Sequence, residues 1–227
     1  MTFTKVIIMP DNIAPMWQDM ISSLHDKIGQ MEERGQQAEK QLTPLMRVAE
    51  AGDADVVCKL LEEGCDLNTE TDGGWTALKK AVSGQHPTII HLLVQHGAIL
   101  STNVHGFTAL HLAATLNDVP CAQALLDCGA DLNVQETEFG QTPLMEAMSE
   151  GDGDFMGPDV ARMLIERGAD LTIQSTHGST VLDYALDYQS SWSAFPDSVW
   201  LGESQRSLIE LVRLTVATQA KAKQAAT

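Results

Sequence analysis

Two landmarks recur along this chain at one interval, and that interval constrains the fold more than any other feature. A threonine opening a short apolar run stands at Thr43, Thr76, Thr108, Thr142 and Thr180, spaced 33, 32, 34 and 38 residues. A glycine closing a second apolar run stands at Gly64, Gly97, Gly129 and Gly168, spaced 33, 32 and 39. The threonine-to-glycine distance is 21, 21, 21 and then 26, so five extra residues fall inside the fourth unit, in 150–158. Periods of this size mark stacked repeats, each too small to bury a core alone.

One unit, residues 106–133, shows the local physics. Its threonine hydroxyl can meet free N–H groups at a helix start. Pro44 and Pro143 directly follow their threonines, in the first helical turn, where no N–H is needed. Gly64, Gly97, Gly129 and Gly168 sit just past a helix end, where a left-handed residue is wanted. Gly74, Gly106, Gly140 and Gly178 turn the chain back between units.

The phrases TPLMRVAEAGDADVVCKLLEEGCDLN, WTALKKAVSGQHPTIIHLLVQHGA, FTALHLAATLNDVPCAQALLDCGADLN and QTPLMEAMSEGD…VARMLIERGADL resemble ankyrin repeats. The resemblance implies an all-α ankyrin-repeat solenoid. Its units would be helix-turn-helix pairs with β-turn or hairpin tips, closed by N- and C-terminal capping helices. It places repeats at about 42–73, 74–105, 106–139 and 140–177, with a degenerate fifth starting at 178–188. It also implies a structural role for His111, the histidine of the family's Thr-x-Leu-His. Met46, Lys79 and Met145 occupy that position in repeats one, two and four.

Flanking segments complete the organisation. Residues 1–41 form an N-terminal extension in which Trp17, Met20, Leu24, Ile28 and Met31 share one helical face. That amphipathic helix either covers the first repeat or self-associates through residues 13–41 as a coiled coil. Residues 189–227 hold an insert with Trp192, Phe195 and Trp200, then a capping helix expected over Ser204–Ala217. Leu208, Leu211, Val212, Thr215 and Val216 make its apolar face, and the tail beyond Ala217 is expected to fray.

Chemistry is searched for next. No phosphate loop, nucleophile elbow, His-Glu-x-x-His or Cys-x-x-Cys occurs. Cys58/Cys65 and Cys121/Cys128 are each seven apart, wider than zinc spacing, and fall where small apolar side chains belong. They read as packing thiols before ligands or disulfides. His86, His91 and His96, five apart, spread around a helix. Asp152-Gly-Asp154 lacks the later donors of a calcium loop. The expectation is therefore no catalytic residue, no metal and no cofactor. With no run of about 18 apolar residues and a first segment too short for a signal peptide, a soluble, cytoplasmic protein is expected.

Charge points to partners. Net charge is −17, and residues 42–190 hold 22 acids against 6 bases. Residues 81–161 contain no Lys or Arg, yet carry ten acids from Asp118 to Asp159. Such a field repels nucleic acid and anionic lipid and favours a basic protein surface. Simple solubility of an elongated surface is the competing reading.

The resemblance implies a concave face of turn tips and first helices that binds proteins. Mapped onto this chain, the tips contribute Asp72, Trp75, Val104, His105, Phe107, Glu138, Phe139, Gln141, Thr176 and His177. The first helices contribute Glu50, Ser83, Thr115, Leu116, Ser149, Glu150, Asp187 and Tyr188. Trp75, Phe107, Phe139 and Tyr188 would form a row of aromatic anchors between acids, unless Trp75 and Phe107 pack beneath neighbouring turns. The function expected is a non-enzymatic protein-interaction module with an acidic face. The alternative is an inhibitor or immunity-type protein that neutralises a basic enzyme or nucleic-acid-binding protein by charge mimicry.

Overall fold

The computed structural model describes residues 42–101, 106–148, 158–186 and 203–225. The segment expected to form the N-terminal amphipathic helix, Val104, His105, Ser149, Glu150, Asp187, Tyr188, the insert 189–202 and all of 150–158 except Pro158 lie outside the described residues. The chain divides into two units, Met1–Leu42 with Thr71–Gly73, and Thr43–Glu70 with Gly74–Thr227. In the first, Asp72 and Gly73 are exposed and Thr71 is half-buried. The second holds the repeats.

Its helices run α1 Pro44–Ala51, α2 Ala54–Glu62, α3 Ala77–Ser83, α4 Pro87–Gln95, α5 Ala109–Thr115, α6 Val119–Asp127, α7 Pro143–Met148 and α8 Pro158–Glu166. A further helix, α9, covers 181–186, and α10 spans Glu203–Ala225. No strand occurs among the described residues. Helices α1, α3, α5 and α7 stack in one row, α2, α4, α6 and α8 in another, and α10 packs on α8. This is the expected helix-hairpin stack.

The caps explain why helices begin where they do. The hydroxyls of Thr43 and Thr76 each accept the N–H three residues on at 3.2 Å, and those of Thr108 and Thr142 do so at 3.3 Å. Thr180 differs from that expectation. Its own N–H and hydroxyl both donate to Asp183 Oδ2 at 2.7 Å, because an acid stands at the third helical position there. Two of the second helices are capped by aspartates: Asp53 takes the Val56 N–H and Asp118 the Cys121 N–H, both at 3.1 Å. Helix α4 starts at His86 without a side-chain cap. The start of α8 is instead met by Asn117 of the preceding repeat, whose Oδ1 accepts the Val160 N–H at 3.0 Å.

Helices end as their glycines require, with Gly64, Gly97, Gly129 and Gly168 at φ between 77° and 99°. Gly106, at φ 70°, is needed for a second reason. A Cβ there would strike the Thr137 amide nitrogen of the next tip.

The core lies between and within the two rows. Leu45, Met46, Ile89, Ile90, Leu93, Leu110, Leu125, Leu144, Met145, Met148 and Leu164 are fully buried. Each such side chain contributes about 1.5–3 kcal/mol of transfer free energy. Cys121 is buried among them, and all four cysteines are free thiols. Desolvation is the main reason the Cys121 thiol stays protonated.

Amides clip repeat to repeat. Asn68 donates to Gly97 O at 3.2 Å and accepts from Ile99 N at 2.9 Å, while Asn133 accepts from Asp170 N at 2.9 Å. Replacing Asn68 by Ala therefore lowers stability by about 1–2 kcal/mol, readable as a lower urea midpoint.

The last helix corrects the expected Ser204–Ala217 boundary and the fraying tail. It continues to Ala225, through alanine, lysine and glutamine, all good helix formers. Gln219 also anchors it, donating to Ala169 O at 2.9 Å and accepting from Leu171 N at 3.1 Å. Leu208, Ile209 and Val212 are its buried residues, whereas Leu211 is only half-buried. The docked face is thus rotated by about one position from the stripe expected.

Candidate protein-interaction face

The face is built on His111, at the first turn of α5 and wholly buried. Its Nδ1 accepts the Thr108 N–H at 3.1 Å, completing a reciprocal cap. That leaves Nε2 to carry the proton, which it donates to Gln141 O of the following repeat at 3.1 Å. Burial is the main reason its pKa falls from 6.5 to about 4, so the ring is neutral. Lys79 holds the equivalent place in repeat two but bonds back to Gly74 O of its own repeat, at 2.7 Å. Burial pushes the Lys79 ammonium below its ordinary value.

The next tip is organised by Glu136, only 6% exposed. Its carboxylate accepts three backbone N–H groups, from Glu138 at 2.6 Å, Phe139 at 2.7 Å and Gln141 at 2.9 Å. The Glu136 N–H donates to Gln141 O at 2.9 Å, closing the turn. Phe139 is left pointing outward, 45% exposed, and stacks on His177 of the following tip at 6.4 Å between ring centroids.

Backbone and side chains tie those two tips together. The Thr176 N–H and hydroxyl both donate to Phe139 O, at 2.8 and 2.9 Å. Gln135 Nε2 bridges Gly140 O at 2.6 Å and Gln174 O at 2.9 Å. Gln141, half-buried, reaches Tyr184 OH with its own amide at 2.9 Å.

The remaining expected residues are distributed unevenly. Phe107 is half-buried and stacks on His111 at 5.2 Å. Trp75 is half-buried, with the Lys80 ammonium 4.4 Å from its ring centroid. That ammonium also pairs with Glu50 at 3.1 Å, and Ser83 lies at 3.5 Å from the same carboxylate. Thr115, Leu116, Glu138, Thr176 and His177 are exposed, and Thr115 donates to His111 O at 3.1 Å. Of the aromatic row, then, Phe139 alone among the described residues is turned to solvent.

Residues missed in the sequence are Glu136, Gln135, Lys80 and Tyr184. For Lys80 and Tyr184 a signal existed. Arg47, Lys80, Leu112, Glu146 and Tyr184 repeat at the threonine spacing, one position per first helix. This ladder passes from basic in repeats one and two to acidic in repeat four, so charge on the face is graded. The half-buried Glu146 has its carboxyl raised, by desolvation first and then by Glu136.

A cleft lined by Thr76, Leu78, Lys79, Ile99, Leu100, Ser101 and Ala109 offers about 20 Å³, room for a water and little more. Among the described residues no group of three or more His, Cys, Asp or Glu is placed to hold a metal. No described helix is long and apolar enough to cross a membrane.

A stack of helical hairpins with locked tips and one exposed aromatic pair defines a helical-repeat scaffold whose working part is a surface. The chain belongs to the ankyrin repeat family. The family description for three ankyrin repeat copies matches residues 45–136, and that for a single repeat matches 139–176.

Among curated proteins it is similar to ankyrin repeat and SOCS box protein 6 of Homo sapiens, 36% identical over 142 residues, covering 60% of this chain and 34% of that protein. The nuclear factor NF-kappa-B p105 subunit of Gallus gallus is 30% identical over 147 residues, covering 63% and 14%. Ankyrin repeat protein nuc-2 of Neurospora crassa is 32% identical over 134 residues, covering 56% and 13%. The matched region thus spans about a third or less of these relatives. Ankyrin repeats are protein-interaction modules, and the family is generally non-enzymatic.

Proposed function

We propose that this chain binds a basic protein partner through the tips and first helices of repeats three and four, without catalysing a reaction. The observation that carries this is the stretch 81–161, which holds ten acids and no Lys or Arg and which includes the outward-facing Phe139 and Leu116. An aromatic anchor inside a charged rim is how interfaces concentrate binding energy. Acids on the rim steer a basic partner in and set the rate of encounter.

The test is to recover the partner from native cells with the full chain and to measure its affinity at two salt concentrations. Raising salt from about 0.05 M to about 0.5 M should weaken binding roughly tenfold, chiefly through slower association. Affinity indifferent to salt would remove the acidic face from the account. A Phe139→Ala chain that binds the partner as tightly as the parent would remove the tip.

A further inference from the structure

We infer that Phe139 and His177 form the seat for an arginine side chain of that partner, an inference that rests on the binding role proposed for this face. Three observations carry it. The first is a filled counterpart within the same chain: Lys80 holds its ammonium 4.4 Å from the Trp75 ring centroid and 3.1 Å from Glu50. One end of the face therefore already uses an aromatic ring plus a carboxylate to hold a cation, supplied by the chain itself.

The second is that the other end has the ring and the acid, while the nearest basic residues in the sequence, Arg162 and Arg167, are engaged elsewhere. Phe139 and His177 stack with 22° between their planes, and the exposed Glu138 directly precedes Phe139 in the chain. No Lys or Arg occurs between Lys80 and Arg162. Arg162 and Arg167 sit on the outer row, where Arg162 reaches Ser207 at 3.5 Å and Arg167 reaches Asp127 at 3.3 Å.

The third is rigidity. Phe139 sits between a backbone fastened by Glu136 and a carbonyl held twice by Thr176. An anchor fixed before the partner arrives loses little freedom on binding.

Arginine is the occupant these features select. Its guanidinium is flat, weakly hydrated and able to lie over a ring while its N–H groups reach a carboxylate. An ammonium is compact and gives up more hydration at an open tip. The acidic field attracts both cations alike, so the ring pair is what separates them.

The test uses the full chain with fluorescein-labelled octa-arginine and octa-lysine, read by anisotropy at one salt concentration. Octa-arginine should bind about three- to fivefold tighter than octa-lysine. Phe139→Ala should bring octa-arginine down to the octa-lysine level while leaving octa-lysine affinity in place. Phe139→Tyr, which keeps a ring, should retain the preference. Glu138→Gln should weaken both peptides.

Equal binding of the two peptides by the parent chain overturns the arginine seat and leaves the basic-partner reading standing. So does a preference that survives Phe139→Ala. Failure of both peptides to bind overturns the seat together with the reading beneath it. Because Phe139 is exposed, each variant is expected to melt with the parent, and matching melts confirm that folding is not what changed.

Discussion

Lowering the pH from 6.5 towards 4 destabilises the folded chain by about 3 kcal/mol through His111 alone, and His111→Met removes that part of the loss. The residue is wholly buried, and burial is the first cause of its fall from 6.5 to about 4. Geometry gives the same answer. Nδ1 faces the Thr108 N–H at 3.1 Å, so a proton placed there would set donor against donor. The unfolded chain takes up that proton near 6.5 and the folded chain only near 4. Stability from this group is therefore complete above the unfolded value and drains away as pH falls.

Other groups act elsewhere or oppositely. Glu146, with a raised carboxyl, gains stability on acidification, and its partial exposure makes that term smaller. Asp66, Asp127 and Asp183 are lowered from 3.8 and lose their contribution only in stronger acid. Methionine is the right replacement because Met46 and Met145 fill the same position in repeats one and four, at 1% and 0% exposure. At neutral pH the variant should lose about 1–2 kcal/mol, for the Gln141 bond and half of the cap. Urea midpoints at both pH values decide the matter. A methionine variant as acid-sensitive as the parent would show that the imidazole is not the source.

Glu136→Ala should cost about 3 kcal/mol, although the side chain belongs to a surface turn. Its carboxylate satisfies three N–H groups between 2.6 and 2.9 Å. Bonds to a charged acceptor are worth about 1.5–3 kcal/mol each, but the Glu138 and Phe139 amides would regain water, so the losses do not simply add. The midpoint of thermal unfolding should fall by roughly 6–12 °C. Hydrogen exchange at the amides of Phe139 and Gln141 should accelerate before the helices open. Glu138→Ala is the control, exposed and two residues away, with an expected effect within about 0.5 kcal/mol. If the two variants melt together, the carboxylate does not hold the tip.

How much of this was legible in the sequence follows the range of the forces involved. Thr43, Thr76, Thr108 and Thr142 cap helices because a hydroxyl and an N–H three residues on meet whatever lies beyond them. Gly64, Gly97, Gly129 and Gly168 end helices because their own backbone must turn left-handed. His111 was expected to be structural and is, through bonds to Thr108 and Gln141. Glu136 escaped notice. In the text Glu136 and Glu138 are two acids of one tip, and nothing marks which is buried.

The aromatic row shows the same division. Trp75, Phe107 and Phe139 read alike as tip residues, but Lys80 lies over the first and His111 beneath the second. The third has its ring turned outward against His177. The threonine caps and the glycine turns were determined by the sequence, because each depends on groups within a few residues, and their recurrence sets the period. Which tip side chain faces solvent was decided by the tertiary structure. Lys80 and His111 lie close to their rings in sequence but are held by Glu50 and Gln141 O, each 30 residues away in a neighbouring repeat. The Phe139 ring meets His177 of the next tip, and stacking brings those repeats into contact.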